Sequence, residues 1–287
     1  MSGAPIRWAL LAALSIATPA FAQDSAPAGT AGADTNVDTS RDRLTVGVGV
    51  GTTPRYSGAS RSMTIPVVAV QGQVSGISFA TQGTSVFADL IPSKGKPGWK
   101  LQFGPEVALR LDRNTSPGDS AVARLGKIDR AWEAGGWVGI QRTGVVTSAY
   151  DTLSFSASWQ KDLSGVHNSA IFTPSIDYDT PLSRRAYVSL SLSADHVGRG
   201  FGDTYFDITP AGSAASGLPA YAGADHPGWK DWNVSGLLAH SLTGDLTHGL
   251  GLFATAGYSR LLGDYGRSPV VRERGQTSAA LGVEFTF

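Results

Sequence analysis

Cysteine is absent from this chain, so its five histidines are its best-equipped groups for acid–base or nucleophilic chemistry: His167, His196, His226, His240 and His248. Without cysteine there is no thiolate nucleophile, thiolate metal site or disulfide framework. Ser193, Asp195 and His196 lie close in sequence, and a Ser-His-acid site needs three such groups converging within hydrogen-bond reach. Asp195 and His196 are adjacent in an alternating segment, which sends their side chains to opposite faces. No G-x-S-x-G elbow occurs. His240 and His248 flank a short turn and offer only two ligands, a weak metal site. The run VGVGVG at 46–51 has glycines at strand spacing, not the G-x-G-x-x-G that opens a helix on a phosphate. Asp177, Asp179 and Asp195 have the chemistry to bind cations, but such acids more often pair with interior cations, here Arg110, Arg142, Arg185 or Lys100. These residues therefore nominate no catalytic, cofactor-binding or metal-ligating group, and the expectation is a non-enzyme without a cofactor.

The elements that carry these residues alternate. Leu44, Val46, Val48 and Val50 share one face, with Thr45, Gly47 and Gly49 between them. Trp99, Leu101, Phe103, Val107, Leu109 and Leu111 oppose Lys100, Gln102, Glu106, Arg110 and Asp112. The last thirteen residues, GQTSAALGVEFTF, put Ala279, Leu281, Val283, Phe285 and Phe287 on one side and Glu284 and Thr286 on the other. Period two marks strands whose faces meet different surroundings. Soluble sandwiches alternate too, but here aromatics gather near the ends of the apolar faces: Trp99, Trp132, Trp159, Tyr178, Tyr258 and Phe287. Such belts belong at membrane interfaces. Charges such as Glu106, Arg110, Asp177 and Glu284 sit mid-strand on the polar faces. Facing lipid they would cost roughly 2–4 kcal/mol each, so they are expected to face a lumen.

About twelve strands are expected, near 43–51, 62–71, 75–81, 84–91, 97–112, 130–142, 144–160, 168–180, 184–196, 230–242, 247–262 and 275–287, with ten as the alternative. The odd-numbered gaps are long and the even ones short, except for a tight gap near 82–83. Bacterial outer-membrane barrels show this asymmetry, with long outer loops and short periplasmic turns. Met1–Ala22 reads as a secretory signal, with Arg7, an apolar stretch from Trp8 to Ala17 and the small-x-small run Ala20-Phe21-Ala22. Residues 23–42 read as a disordered periplasmic leader, and 43–287 as one barrel domain. Charged residues make up only 16% of the chain and formally balance, which gives no electrostatic footprint for nucleic acid. The fold class expected is all-β, a transmembrane antiparallel up-and-down barrel in contact with outer-membrane lipid.

Four segments in order carry a resemblance: VGVGVGTTPRYSGASRSMTIPVVAVQG at 46–72, GKIDRAWEAGGWVGI at 126–140, TYFDITPAGSAASGLPAYAGADHPGWKD at 204–231 and GDYGRSPVVRERGQTSAALGVEFTF at 263–287. On these the chain resembles the MipA/OmpV family of outer-membrane proteins. Arg55 and Arg61-Ser62 depart from a more acidic or neutral pattern there. The resemblance implies an outer-membrane barrel, and from the family's best-known member a scaffold between a lytic transglycosylase and a penicillin-binding protein. A narrow channel and an adhesin acting through outer loops are the alternatives. The terminal Phe285 and Phe287 are expected to serve as a signal to the barrel-assembly machinery. The aromatic-rich connection 197–229, with Tyr205, Phe206, Tyr221 and Trp229, is the candidate partner-binding outer loop; a plug, or a loop packed on its own rim, are the other readings.

Overall fold

The computed structural model describes residues 42–92 and 98–287. The expected signal at 1–22 and the expected leader, apart from Asp42, lie outside the described residues. Twelve strands follow in chain order: β1 (Arg43–Pro54), β2 (Ser62–Val74), β3 (Ile77–Gln82), β4 (Ser85–Asp89), β5 (Trp99–Arg110), β6 (Ala131–Thr143), β7 (Thr152–Asp162), β8 (Ala170–Pro181), β9 (Ala186–Val197), β10 (Gly228–Ser241), β11 (Gly249–Leu261) and β12 (Gly275–Thr286). Each pairs antiparallel with its neighbours in sequence, and β12 pairs with β1 to close the ring. Twelve, not ten, is the strand count.

The alternation along the chain is the wall of this barrel. Val48, Val50, Leu101 and Leu281 point outward, each more than half exposed, while Thr45, Gln102, Glu106, Ser154 and Asp177 on the opposite faces are buried. In water this arrangement would forfeit the burial of every outward aliphatic; in hydrocarbon it satisfies both faces and leaves no sheet edge where the ring is closed. The outward aromatics form two girdles. Trp132, Trp159 and Tyr258 lie toward one end, Trp99, Tyr178 and Phe287 toward the other. Closure is sealed at the lower rim, where Thr45 Oγ1 and Thr286 Oγ1 share a hydrogen bond of 2.9 Å.

Alternation alone starts β7 at 144, but the strand begins at Thr152. Residues 144–151 form a turn gathered by one carboxylate. Asp151 accepts from the backbone N–H groups of Val145 (2.7 Å), Val146 (2.8 Å) and Thr147 (2.5 Å) and from Tyr178 Oη (2.9 Å). The hydrophobic pair Val145–Val146 therefore belongs to a turn, and local capping overrides its β propensity. Burial alone would raise the Asp151 carboxyl, yet these donors hold it well below the ordinary carboxylate range. A depressed carboxyl stabilises the fold above its unfolded value of about 4, and the contribution fades as pH falls toward the lower folded value. Asp151→Asn is expected to lower stability at neutral pH by about 1–3 kcal/mol. The difference from the parent should shrink on acidification, which urea unfolding in lipid vesicles at two pH values would show.

Candidate functional site

The odd-numbered connections point to one end of the barrel, and all but the tight β3–β4 turn fold over it there. The β9–β10 connection builds two short helices, α2 (Arg199–Tyr205) and α3 (Pro210–Ser216), flanked by α1 (Ser120–Ala123) in the β5–β6 loop and α4 (Gly263–Arg267) in the β11–β12 loop. Thr209 caps α3 by accepting from Gly212 N (3.0 Å), Pro210 opens it, and Gly217 closes it with a left-handed φ of 76°. Gly202 lets α2 approach the neighbouring chain, since a Cβ there would lie 1.9 Å from the Ala224 carbonyl oxygen.

The main buried apolar cluster lies in this cap and the strand ends beneath it. Tyr56, Val122, Val197, Phe201, Tyr205, Phe206, Ile208, Tyr265 and Val270 are buried in one cluster. The Phe201 and Tyr205 rings meet at 4.7 Å, Phe206 and Tyr265 at 5.5 Å. Hydrogen bonds stitch the loops to each other. Tyr56 Oη donates to the Val270 carbonyl (3.0 Å), Tyr221 Oη to that of Asp264 (2.6 Å), Tyr265 Oη to that of His226 (2.8 Å), and Ser268 Oγ to that of Phe206. Burial pushes the Tyr56 and Tyr265 phenols up to about 12, which keeps them protonated as donors. Arg55 and Arg61, the departures noted in the sequence, reach the carbonyls of Ser116 (3.3 Å) and Gly118 (3.0 Å) and tie the first loop to the third.

Beneath the cap lies a buried ionic layer. Glu133 takes a two-point contact from Arg110 (2.7 and 3.1 Å) and a third from His167 Nε2 (2.9 Å). Lys230 binds Asp195 and Asp231, both at 3.2 Å. A register shift between Trp229 and Asp231 turns Lys230 inward beside Asp231, so two consecutive residues face the lumen. The Phe201 ring closes this layer from above, 4.9 Å from the Arg110 guanidinium and 5.3 Å from Lys230 Nζ. The pairing expected for the lumen acids thus needs a correction of partners. Asp195 is held by Lys230, Asp179 by the Tyr187 hydroxyl (2.7 Å), and Lys100 by Asp89 (2.7 Å). Arg142 lies outside the wall over the Trp99 ring, and Arg185 sits in the β8–β9 turn. Strict alternation from Asp231 assigns Lys230 to the lipid face; only a bulge reverses it.

The histidines are not brought together. His167 is sealed under Phe201 and Tyr205. His196 points outward against Trp229 at 5.2 Å while Asp195 points inward, so Ser193, Asp195 and His196 do not converge. His248 stands 3.1 Å from Asp245 in its turn. One acidic cluster has no signal in the sequence: Asp203, Asp207 and Asp225 bring carboxylate oxygens within 4.8 Å of one another in the cap. Asp225 is already bound by Arg199, and Asp207 accepts from Ala224 N (2.9 Å).

Of the candidate loop residues, Tyr205 and Phe206 are buried inside the cap and Tyr221 is half-buried. Trp229 stands on the outer wall, about half exposed. The loop's aromatics fold it inward because burying them against four other connections removes more apolar area from water than presenting them would. At the other end, Phe285 and Phe287 point outward with rings 4.8 Å apart, and Phe287 N donates to the Leu44 carbonyl (2.9 Å). Removing Phe287 is expected to impair membrane insertion; normal levels of folded, membrane-integrated protein would contradict an assembly role.

An apolar wall between two aromatic girdles, a polar lumen and a complete ring of strands define an outer-membrane β-barrel. The chain belongs to the family of MltA-interacting protein MipA, whose model matches residues 46–287. No curated protein matches it. Among solved structures it is similar to the translocator domain of the autotransporter NalP from Neisseria meningitidis, at 12% identity over 88% of this chain and 90% of that one, with a TM-score of 0.40. It is also similar to the toluene transporter TodX of Pseudomonas putida, at 11% identity over 85% and 89%, TM-score 0.34. A third is the COG4313 outer membrane channel of Pseudomonas putida F1, at 8% identity over 88% and 100%, TM-score 0.34.

Proposed function

We propose that this barrel is a non-catalytic anchor and scaffold in the outer membrane, engaging a lytic transglycosylase, and with it a penicillin-binding protein, at its periplasmic end. The observation that carries this reading is the cap. A pore needs a water path through the lumen, whereas here a core of buried aromatics and a paired ionic layer occupy the outer end. An adhesin needs its aromatic loop residues at the surface, whereas Tyr205 and Phe206 are buried. The family's name, for interaction with MltA, supports the scaffold by membership. The opposite end offers ordered turns, among them 144–151 fixed by Asp151, at the depth where a periplasmic enzyme would dock. Affinity capture from cross-linked, detergent-solubilised envelopes tests this. Recovery of a lytic transglycosylase is expected, and a preparation free of murein enzymes would overturn it.

A further inference from the structure

The barrel ring is complete in order but not in height. β3 and β4 are six and five residues long, against eleven to fourteen for the other strands. β2 pairs with β3 only from Gln71 to Val74, although β2 itself runs up to Ser62 and is paired with β1 along its whole length. The hairpin turns at Gly83–Thr84, where continued register would meet Val68 of β2. Above that level β2 has no strand on its β3 side for six residues, roughly 20 Å of edge. Thr81 Oγ1 closes the last rung, bonding both the N–H (2.8 Å) and the carbonyl (3.3 Å) of Val70. The next position of the same parity after Val68 is Pro66, which has no N–H to leave unsatisfied; proline in a sheet is confined to such edges.

Two further observations say what this notch opens onto. By register, Val68 and Pro66 stand level with Val48 and Val50 on β1, and through β1 with Val283 and Leu281 on β12, all outward-facing aliphatics. The lower end of the notch is therefore in the hydrocarbon belt. Inside it lies a lumen cavity of about 360 Å³, within the roughly 300–1,000 Å³ of pockets that hold small organic ligands. Its wall includes the β2 residues from Val67 to Gln73, together with Gly83 at the hairpin tip, so it reaches the level at which the notch begins. Its lining mixes aliphatic and aromatic groups, Val67, Ala69 and Phe253, with the amides of Gln71 and Gln73.

We propose that the gap between the upper edge of β2 and the β3–β4 hairpin is a lateral port through which a single-chain amphiphile moves between the bilayer and the lumen cavity. The hydrocarbon tail lies among Val67, Ala69 and Phe253, and the polar end reaches the amides below. A peptide strand added to this edge is the less favoured occupant, because Pro66 removes a donor from it and its lower end stands in lipid. This proposal goes beyond the scaffold reading and is independent of it.

The cysteine-free chain makes the test direct. Single Ala80→Cys (cavity wall), Ser156→Cys (lumen, outside the cavity) and Leu281→Cys (lipid face) variants of the full barrel would be labelled with bimane. In dioleoylphosphatidylcholine vesicles, a terminally brominated medium-chain fatty acid is the quencher. Quenching of the Ala80→Cys label is expected to approach that of Leu281→Cys and to exceed that of Ser156→Cys. Adding Ala69→Trp, or Gln82→Trp on the opposite lip should the first not assemble, is expected to abolish it. Quenching no stronger than at Ser156→Cys would overturn the proposal. So would quenching that survives both tryptophans, which would mean entry through the lower mouth. Disulfide-linked dimers of Val68→Cys with an unquenched Ala80→Cys label would assign the edge to a second copy instead.

Discussion

Replacing the cap segment 199–226 with a short flexible link should turn an electrically silent barrel into a conducting one. The parent is expected to show no steps in planar bilayers, because Phe201, Tyr205 and Phe206 sit over the lumen and the Arg110–Glu133 and Lys230–Asp195 contacts fill the layer below. Removing α2 and α3 takes away the rings that cover those charges and exposes them to water, which releases them from their enforced pairing. Under that layer the wall is built largely of Ser, Thr and Gly, and a space of about 360 Å³ already exists there. A variant that assembles but stays silent would place the block in the lumen side chains themselves. Steps from the parent would contradict the sealed cap.

The second large effect is expected at Lys230. Its ammonium is fully buried and holds two carboxylates, Asp195 and Asp231. Lys230→Ala leaves both acids buried without that cation, and breaking such a contact costs about 3–5 kcal/mol. Lys230→Met combined with Asp195→Asn and Asp231→Asn removes the charges together and should recover most of the loss, since whole buried ion clusters can be replaced at little net cost. Urea unfolding in vesicles distinguishes the two. Equal stability of parent and Lys230→Ala would mean that the ionic layer does not hold the cap.

The wall is legible in the sequence because one physical rule, two solvents on two faces, writes itself into every second residue. Leu281, Val283 and Phe285 against Gly282 and Glu284 take their sides from alternation alone, and so do the inward-aimed Glu106 and Arg110. The cap is less legible, since its residues answer to long-range packing. Phe201, Tyr56 and Tyr265 are 64 to 209 positions apart along the chain yet share one core. One local signal is there to be read. Thr209-Pro210 followed by Gly217 is a cap, a helix-opening proline and a helix-closing glycine at the spacing of two turns. Lys230 is hidden by a bulge, which period two cannot announce. The short β3–β4 hairpin shows in the sequence as a tight turn, but its consequence for the β2 edge follows only from the register.

The scaffold reading is tested most directly by adding a purified lytic transglycosylase to the barrel in lipid nanodiscs, where both ends are accessible, and measuring binding to three forms. The parent and the variant lacking 199–226 should bind alike and saturably, and replacing the turn 144–151 by a glycine–serine linker should weaken the complex. No binding to any form, or binding that depends on the cap and ignores the periplasmic turn, would contradict it.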